Sequence, residues 1–106
     1  MYCLSVQYPT PDDADAFRAY YADRHLPLAE RLPGLRSYDV AYPAPLGPDN
    51  GTPFCIFRGY FDSAEDMQRA LMSEQGAEVA ADVPNYSPKG ATMFHFAVDT
   101  KALALA

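Results

Sequence analysis

Four β-prone segments and two stretches of helical periodicity alternate along the chain, and their order limits the fold more than any other feature. The β-prone segments are rich in Tyr, Phe, Val and Ile and occupy residues 2–8, 35–42, 54–61 and 92–98. Prolines stand in most of the connections, and one long connection also holds an Asn-Gly pair. The predicted order is strand, helix, strand, strand, helix, strand.

The first helical stretch begins near an acidic pair. Asp12 or Asp13 can cap the helix, because a short acidic side chain accepts the free N–H groups of the first turn. Six residues then recur at steps of three and four and define one face: Ala14, Phe17, Tyr21, His25, Leu28 and Leu32. We expect this helix to run from about residue 13 to residue 32.

The second helical stretch begins with a capping-box pattern, in which Ser63 is followed three residues later by Asp66. We expect Gly76 to interrupt this helix and a shorter helical piece to follow at about 78–82. The run NYSPKG, residues 85–90, is expected to form a turn before the last strand.

This order of elements predicts an α+β protein with the ferredoxin-like βαββαβ fold, in which two helices cover one face of a four-stranded antiparallel sheet. A chain of 106 residues is the size of one domain. We therefore expect a single domain over residues 1–106.

The third and fourth strands have apolar residues on both of their faces. In the last strand, Phe94 and Phe96 alternate with Met93 and Ala97. Two helices can cover only one face of such a sheet, so the other face would be left as an exposed apolar patch. We expect a homodimer in which two sheets meet face to face and form a shared α+β barrel.

The charge balance argues against two classes of partner. The chain has 8 Lys and Arg against 14 Asp and Glu, a net charge of −6, and no basic run. Nucleic acids and anionic membranes are bound through clustered cations. No membrane-length apolar segment or signal-peptide pattern is visible, so we expect a cytoplasmic protein that binds neither nucleic acid nor membrane.

The sequence has no pattern typical of a metal or cofactor site. Cys3 and Cys55 do not form a CxxC pair and are expected to be free buried thiols. Two cysteines and two histidines lack the spacing of a zinc site, and no phosphate-binding glycine loop is present. We expect no metal and no cofactor.

Pro27 lies inside the periodic pattern of the first helix, two residues after His25. Proline has no N–H and its ring clashes with the carbonyl of residue i−4, so we expect a kink near Asp23 and an unpaired carbonyl there. His25 lies on the same face as Tyr21 and points inward. His25 is either a core histidine bonded to the freed carbonyl or a titratable ring in a pocket, suited to acid–base catalysis.

The run FRAYYADRHLPLAERLPGLRSYDV, with the strand before it and the later NYSP turn, resembles the EthD-like family, which is named for ethyl tert-butyl ether degradation. The resemblance covers nearly the whole chain. It places the chain in the dimeric α+β barrel superfamily, which includes small cofactor-free isomerases, polyketide cyclases and haem-linked oxidases.

The resemblance also implies candidate catalytic residues. Related methylmuconolactone isomerases have a histidine late in helix one, followed by PGL and a tyrosine in strand two, and the matching residues here are His25 and Tyr38. Gly59 replaces a cysteine of those isomerases, which argues against lactone chemistry. The haem-degrading branch has a histidine on helix two, and this chain has no His between Arg31 and Phe94. Haem is therefore not expected.

Four further side chains are predicted to contribute to substrate binding: Tyr21, Phe61, Tyr86 and His95. A tyrosine in a pocket offers an apolar ring together with a polar phenol. His95 alternates with Phe94 and Phe96, so the dimer interface and the barrel lumen are alternative places for it.

These features predict a small homodimer that binds a hydrophobic, aromatic or oxygenated organic molecule. As an enzyme of a degradation or biosynthetic pathway, it would be a cofactor-independent isomerase, lyase, dehydratase or oxidoreductase. His25 would move a proton, and Tyr38 would orient the substrate or stabilise an oxyanion. The alternative is a non-catalytic accessory or carrier protein of an oxidative degradation pathway, and the residues leave both open.

Overall fold

The computed structural model describes residues 1–104, so the last two residues of the predicted domain lie outside it. The strands are β1 (Tyr2–Tyr8), β2 (Ser37–Ala41), β3 (Cys55–Phe61) and β4 (Thr92–Ala97). The helices are α1 (Ala14–Tyr20), α2 (Leu26–Ala29), α3 (Ala64–Leu71) and α4 (Glu74–Tyr86), and a π-helical turn, Tyr21–His25, joins α1 to α2. This order confirms the predicted α+β, ferredoxin-like arrangement.

The four strands form one antiparallel sheet in the order β2-β3-β1-β4. The central strands β1 and β3 pair along their whole length, from Tyr2 opposite Phe61 to Tyr8 opposite Cys55. One parity of these strands packs under the helices and forms the main core with Phe17, Tyr21 and Met67. Each large apolar side chain buried in this way stabilises the fold by about 1.5–3 kcal/mol.

The first helical stretch differs from the predicted single helix. Asp13 caps α1 as expected, by accepting a hydrogen bond from the N–H of Ala16 at 3.0 Å. Ahead of Pro27 the backbone widens into the π turn, in which the Leu26 N–H donates to the Tyr21 carbonyl. Such turns mark places where an ordinary helical ladder is interrupted, and Pro27 supplies the interruption because it has no N–H to donate.

The second helical stretch is broken at Ser73 and not at Gly76, where the break was predicted. Ser73 caps α4 by accepting from the Gly76 N–H at 3.0 Å. Gly76 lies in the first turn of α4. A Cβ at this position would lie 2.4 Å from the carbonyl oxygen of Ala70 at the end of α3, so only glycine fits there. Glycine therefore permits a close approach of two helices, and α4 continues through Asn85 and Tyr86, which were expected in a turn.

The face of the sheet opposite the helices carries apolar side chains of β3 and β4 together with an ion pair. Phe94 and Phe96 are 44% and 41% exposed on it. The neighbouring strands place a salt bridge on the same face, with Arg58 Nε 2.8 Å from Asp39 Oδ1. The ion pair thus lies on the β2–β3 side of this face, which also carries the half-buried Ile56.

Within residues 1–104, no helix is both long and apolar enough to cross a membrane.

Candidate functional site

A cavity of about 420 Å³ lies between the helices and the β1–β4 side of the sheet. Its volume is within the range of about 300–1,000 Å³ that is usual for small-molecule pockets. Most of its walls are apolar side chains, and His25 and Tyr8 are the lining residues that can offer hydrogen-bonding side chains. The apolar lining includes Leu4, Val6, Leu32, Phe57, Val79, Val83 and Met93.

His25 is the last residue of the π turn, and the turn directs its imidazole under the helices. The residue is 3% exposed. Its ring stacks on the ring of Tyr21 at a centroid distance of 5.2 Å and lies 4.5 Å from the ring of Tyr86. The imidazole is therefore held by packing on two sides, with a third side on the cavity.

Asp82 of α4 holds His25 by a buried hydrogen bond, with Nδ1 of the ring 2.9 Å from Oδ2. The other carboxylate oxygen accepts hydrogen bonds from the hydroxyl of Tyr20 at 2.6 Å and from the amide of Asn85 at 3.0 Å. A carboxylate offers about four lone-pair sites, and Asp82 uses three of them. Asp82 is therefore fixed in place and fixes the ring of His25 in turn.

The protonation states of this pair follow from its surroundings. Burial alone would raise the pKa of Asp82, but the hydrogen bonds from Tyr20, Asn85 and His25 outweigh burial and lower the pKa below its usual value. Burial lowers the pKa of His25 below 6.5, its usual value, and the nearby Asp82 carboxylate only partly opposes this. At neutral pH the pair is an ionised carboxylate and a neutral imidazole.

An ionised carboxylate can only accept, so Nδ1 of His25 must carry the proton that the hydrogen bond requires. Nε2 then has a free lone pair. No residue from 1 to 104 hydrogen-bonds Nε2, and this atom keeps a small solvent exposure. His25 is buried and lines the cavity, so Nε2 is the free basic atom of a residue in the cavity wall.

Three buried phenols meet beside His25. The hydroxyl of Tyr8 lies 2.7 Å from the hydroxyl of Tyr86, and the hydroxyl of Tyr21 donates to Tyr8 at 3.4 Å. Tyr8 is 2% exposed and belongs to the cavity lining. We call Tyr8, Tyr21 and Tyr86 the tyrosine cluster.

The structure brings together His25, Tyr21 and Tyr86 from the predicted site, and it leaves the other three residues elsewhere. Tyr38 does not line the cavity; its ring stacks on Phe57, and its hydroxyl donates to Glu30 at 2.8 Å. Phe61 is fully buried in the core under α3, also away from the cavity. His95 is on the exposed edge strand β4 and hydrogen-bonds the hydroxyl of Tyr2.

Two residues of this site, Asp82 and Tyr8, were not singled out from the sequence. Asp82 lies between Val79, Val83 and Tyr86, at the spacing of one helical face. An acidic residue within an apolar helical stripe is a signal of a buried partner. Tyr8 carried no comparable signal, because a tyrosine at the end of a strand is ordinary.

Among the residues that the structure describes, no group of three or more His, Cys, Asp or Glu side chains could hold a metal ion. Both cysteines are free and buried, as predicted. Burial raises the pKa of the Cys55 thiol to about 11, so this thiol is a poor nucleophile.

Comparison with known proteins gives a family match. The model of the EthD domain matches residues 10–90. A curated relative from Rhodococcus erythropolis, an uncharacterized 11.0 kDa protein in the thcB-thcC intergenic region, is 29% identical over 93 residues, which cover 88% of this chain and 90% of the relative.

Solved structures give the same match. The crystal structure of an ethyl tert-butyl ether degradation (EthD) family protein from Bacillus halodurans superposes with a TM-score of 0.85 and 25% identity, over 93% of this chain and 99% of that one.

Two more distant structures share the fold. SnoaB from Streptomyces nogalater, a cofactor-independent oxygenase, has a TM-score of 0.67 and 14% identity over 94% of each chain. A dimeric ferredoxin-like protein of unknown function from Thermobifida fusca has a TM-score of 0.60 and 15% identity, covering 92% of this chain and 90% of that one.

Proposed function

This chain belongs to the EthD family, and from that premise and the geometry of its cavity we propose that it is a cofactor-independent enzyme acting on a small, largely apolar organic molecule. His25 is its general base and acid. The reaction begins with removal of a proton from the bound molecule by Nε2, and it belongs to a degradative or biosynthetic pathway.

One observation carries this proposal: the hydrogen-bonded pair of Asp82 and His25 lies at an apolar cavity that His25 lines, and Nε2 has no hydrogen-bond partner among residues 1–104. A general base works best when its pKa is near the operating pH and its geometry is fixed. Asp82 selects the tautomer that leaves Nε2 basic, and it stabilises the imidazolium that forms when Nε2 takes a proton. The apolar walls strengthen that charge interaction by excluding water.

Proton removal is the shared first step of several reactions, including isomerisation, dehydration, decarboxylation and cofactor-free oxidation. The last of these is the activity named for the distant structural neighbour SnoaB. It suits a substrate whose carbanion or phenolate reacts with oxygen directly. We propose an oxidative reaction as one member of this set.

We also propose that two copies of the chain associate through the sheet face opposite the helices. Phe94 and Phe96 are exposed there on the edge strand β4. Aromatic residues are enriched at protein interfaces, and the distant ferredoxin-like neighbour is described as dimeric. Native mass spectrometry of the wild type and of Phe94→Ser with Phe96→Ser would test this. A dimer is expected for the wild type and a monomer for the double variant.

The general-base proposal can be tested with 5-nitrobenzisoxazole, a small aromatic probe whose reaction requires only a base. Removal of the C3 proton is concerted with cleavage of the N–O bond and releases a coloured cyanonitrophenolate. The wild type should accelerate this elimination, and His25→Ala should lose roughly 100-fold or more of the acceleration. His95→Ala is the matched control and should retain it.

The two outcomes separate catalyst from carrier. Full acceleration by His25→Ala would exclude His25 as the base. A wild type that binds the probe without accelerating its elimination would favour the alternative, a carrier protein, for which the mainly apolar lining is also suited.

A further inference from the structure

The tyrosine cluster has more O–H protons than it uses. Three phenols carry three O–H protons, whereas the cluster contains two hydrogen bonds, Tyr21 to Tyr8 and the one between Tyr8 and Tyr86. No other hydrogen bond is made by these three hydroxyls among residues 1–104. One O–H group of the cluster therefore has no acceptor, although it lies in a buried and mostly apolar region.

The O–H group without an acceptor belongs to Tyr8 or Tyr86, depending on which of these two hydroxyls donates to the other. Hydroxyl hydrogens rotate, so a ligand oxygen selects the arrangement. Tyr8 lines the cavity and Tyr86 does not. A ligand oxygen in the cavity thus favours the arrangement in which Tyr8 donates a hydrogen bond to the ligand. In this arrangement Tyr21 and Tyr86 both donate to the oxygen of Tyr8.

The free O–H donor of the tyrosine cluster lies near a free acceptor, the imidazole of His25. His25, whose Nε2 is a free acceptor, lines the same cavity, and the rings of Tyr21 and Tyr86 pack on His25 at 5.2 Å and 4.5 Å. One donor and one acceptor in an otherwise apolar cavity favour a ligand with a single polar centre that can both give a proton and receive a hydrogen bond. A phenol or an enol has this character.

We propose that Tyr8, supported by Tyr21 and Tyr86, binds the ionised oxygen of the substrate, and that the substrate is a phenol or enol whose hydroxyl proton passes to His25. This inference rests on the proposed function and names its substrate class. Tyr8 is then a binding residue, and Tyr21 and Tyr86 are positioning residues that act through it.

The proton transfer is balanced without any further reactant. The O–H bond of the ligand breaks, a new N–H bond forms on Nε2, and both electrons of the broken bond stay on the ligand oxygen. The resulting oxyanion accepts a hydrogen bond from Tyr8, and Asp82 balances the imidazolium. Preorganised donors directed at a developing oxyanion are effective because they need no reorganisation when the charge appears.

The acidities of the cluster agree with this division of roles. Burial raises the pKa of Tyr8, but the hydrogen bonds with Tyr21 and Tyr86 oppose the increase. Burial raises the pKa of Tyr21 and of Tyr86, and the contact with Tyr8 raises both further. Tyr21 and Tyr86 thus keep their protons and donate, which makes Tyr8 the stronger donor to a ligand.

Two probes of matched shape test the proposal: 4-nitrophenol, which has a hydroxyl, and nitrobenzene, which lacks it. At a pH where free 4-nitrophenol is mostly protonated, the wild type should bind it with the yellow absorbance of the phenolate. Tyr8→Phe should weaken its binding roughly 10-fold to 100-fold, the range for a hydrogen bond to a charged group, and leave nitrobenzene binding nearly unchanged.

Tyr42→Phe is the matched control, because it removes a phenol that lies outside the cavity lining, and it should leave the binding of both probes unchanged. Tyr86→Phe keeps the hydroxyl of Tyr8 but removes one supporting donor, so a smaller loss of phenolate binding is expected. Tyr86→Phe gives a second test if Tyr8→Phe does not fold, which a thermal melt would reveal.

The outcomes distinguish this inference from the proposed function. If the wild type binds nitrobenzene and 4-nitrophenol equally well, or if both Tyr8→Phe and Tyr86→Phe keep the preference for the phenolate, the tyrosine cluster does not bind an oxyanion, while the cavity and its base stand. If the wild type binds neither probe, the ligand cavity itself is refuted, and the inference with it.

Discussion

His25 and His95 each hydrogen-bond a single side chain through Nδ1, yet one is packed beneath a helix and the other lies on an exposed edge strand. His25 is 3% exposed, its partner is the carboxylate of Asp82, and the residue lines a cavity. The partner of His95 is the hydroxyl of Tyr2, and both are near solvent.

The difference shows that the surroundings of a histidine, more than its presence, give it a chemical role. A buried carboxylate fixes one tautomer of His25 and compensates the charge that proton uptake creates. A tyrosine hydroxyl can donate or accept, so Tyr2 selects no tautomer of His95. Three predictions test or sharpen this contrast, beginning with the largest expected effect.

Removing the partner of each histidine should have very different consequences. Asp82→Asn keeps the size of the side chain but allows its amide to donate to Nδ1, which moves the proton of His25 to Nε2 and abolishes the free base. The elimination rate with 5-nitrobenzisoxazole should fall roughly 100-fold or more, because the change leaves His25 in the wrong tautomer for a base. Tyr2→Phe, which removes the partner of His95, should change the rate less than about threefold.

Circular dichroism melts of both variants are the necessary control, since Asp82 also accepts from Tyr20 and Asn85. Equal rate losses in Asp82→Asn and Tyr2→Phe would remove the distinction between the two histidines.

The stability of the fold should depend on pH through His25 and Asp82. The pKa of His25 is lower in the folded chain than its usual 6.5, so the unfolded chain binds a proton first as the pH falls. This contribution to stability is complete above pH 6.5 and is lost below it. The lowered pKa of Asp82 has the same sign at lower pH, below 3.8, because there too the unfolded chain binds a proton more readily.

Urea unfolding of the wild type and of His25→Gln from pH 8 to pH 5, a range chosen to bracket the titration of about 6.5, measures this effect. The wild type should lose stability as the pH falls below that value, and His25→Gln should lose less. A variant that retains the full pH dependence would show that burial of His25 is not its cause.

The smallest effect is expected for Tyr38→Phe. Tyr38 was paired with His25 on the basis of family resemblance, but its hydroxyl donates to Glu30 outside the cavity. We expect the elimination rate to change less than about threefold and the free energy of unfolding to change by less than about 1 kcal/mol, since the hydrogen bond is exposed. A loss comparable to that of Asp82→Asn would return Tyr38 to the site and require the cavity to extend around α2.

Local features of the chain predicted its elements well and their interruptions less well. The caps at Asp13 and Ser63 were predicted because a cap is read from two or three adjacent residues. Gly76 was expected to break a helix, yet it serves a contact with the end of α3. Pro27 was expected to disturb the first helix, and the structure has a π turn directly ahead of it. The role of Gly76 was missed because it depends on a helix that packs against it.

The sequence by itself determined the order of the elements and the inward direction of His25, because these depend on periodicity within short windows. Only the tertiary structure decided that Asp82, 57 residues away, holds His25, and that Tyr8 meets Tyr86 across 78 residues. The packing of α4 against the π turn and the sheet sets these distances. Side-chain chemistry is therefore encoded locally, but the pairing that turns it into a site depends on how the layers pack.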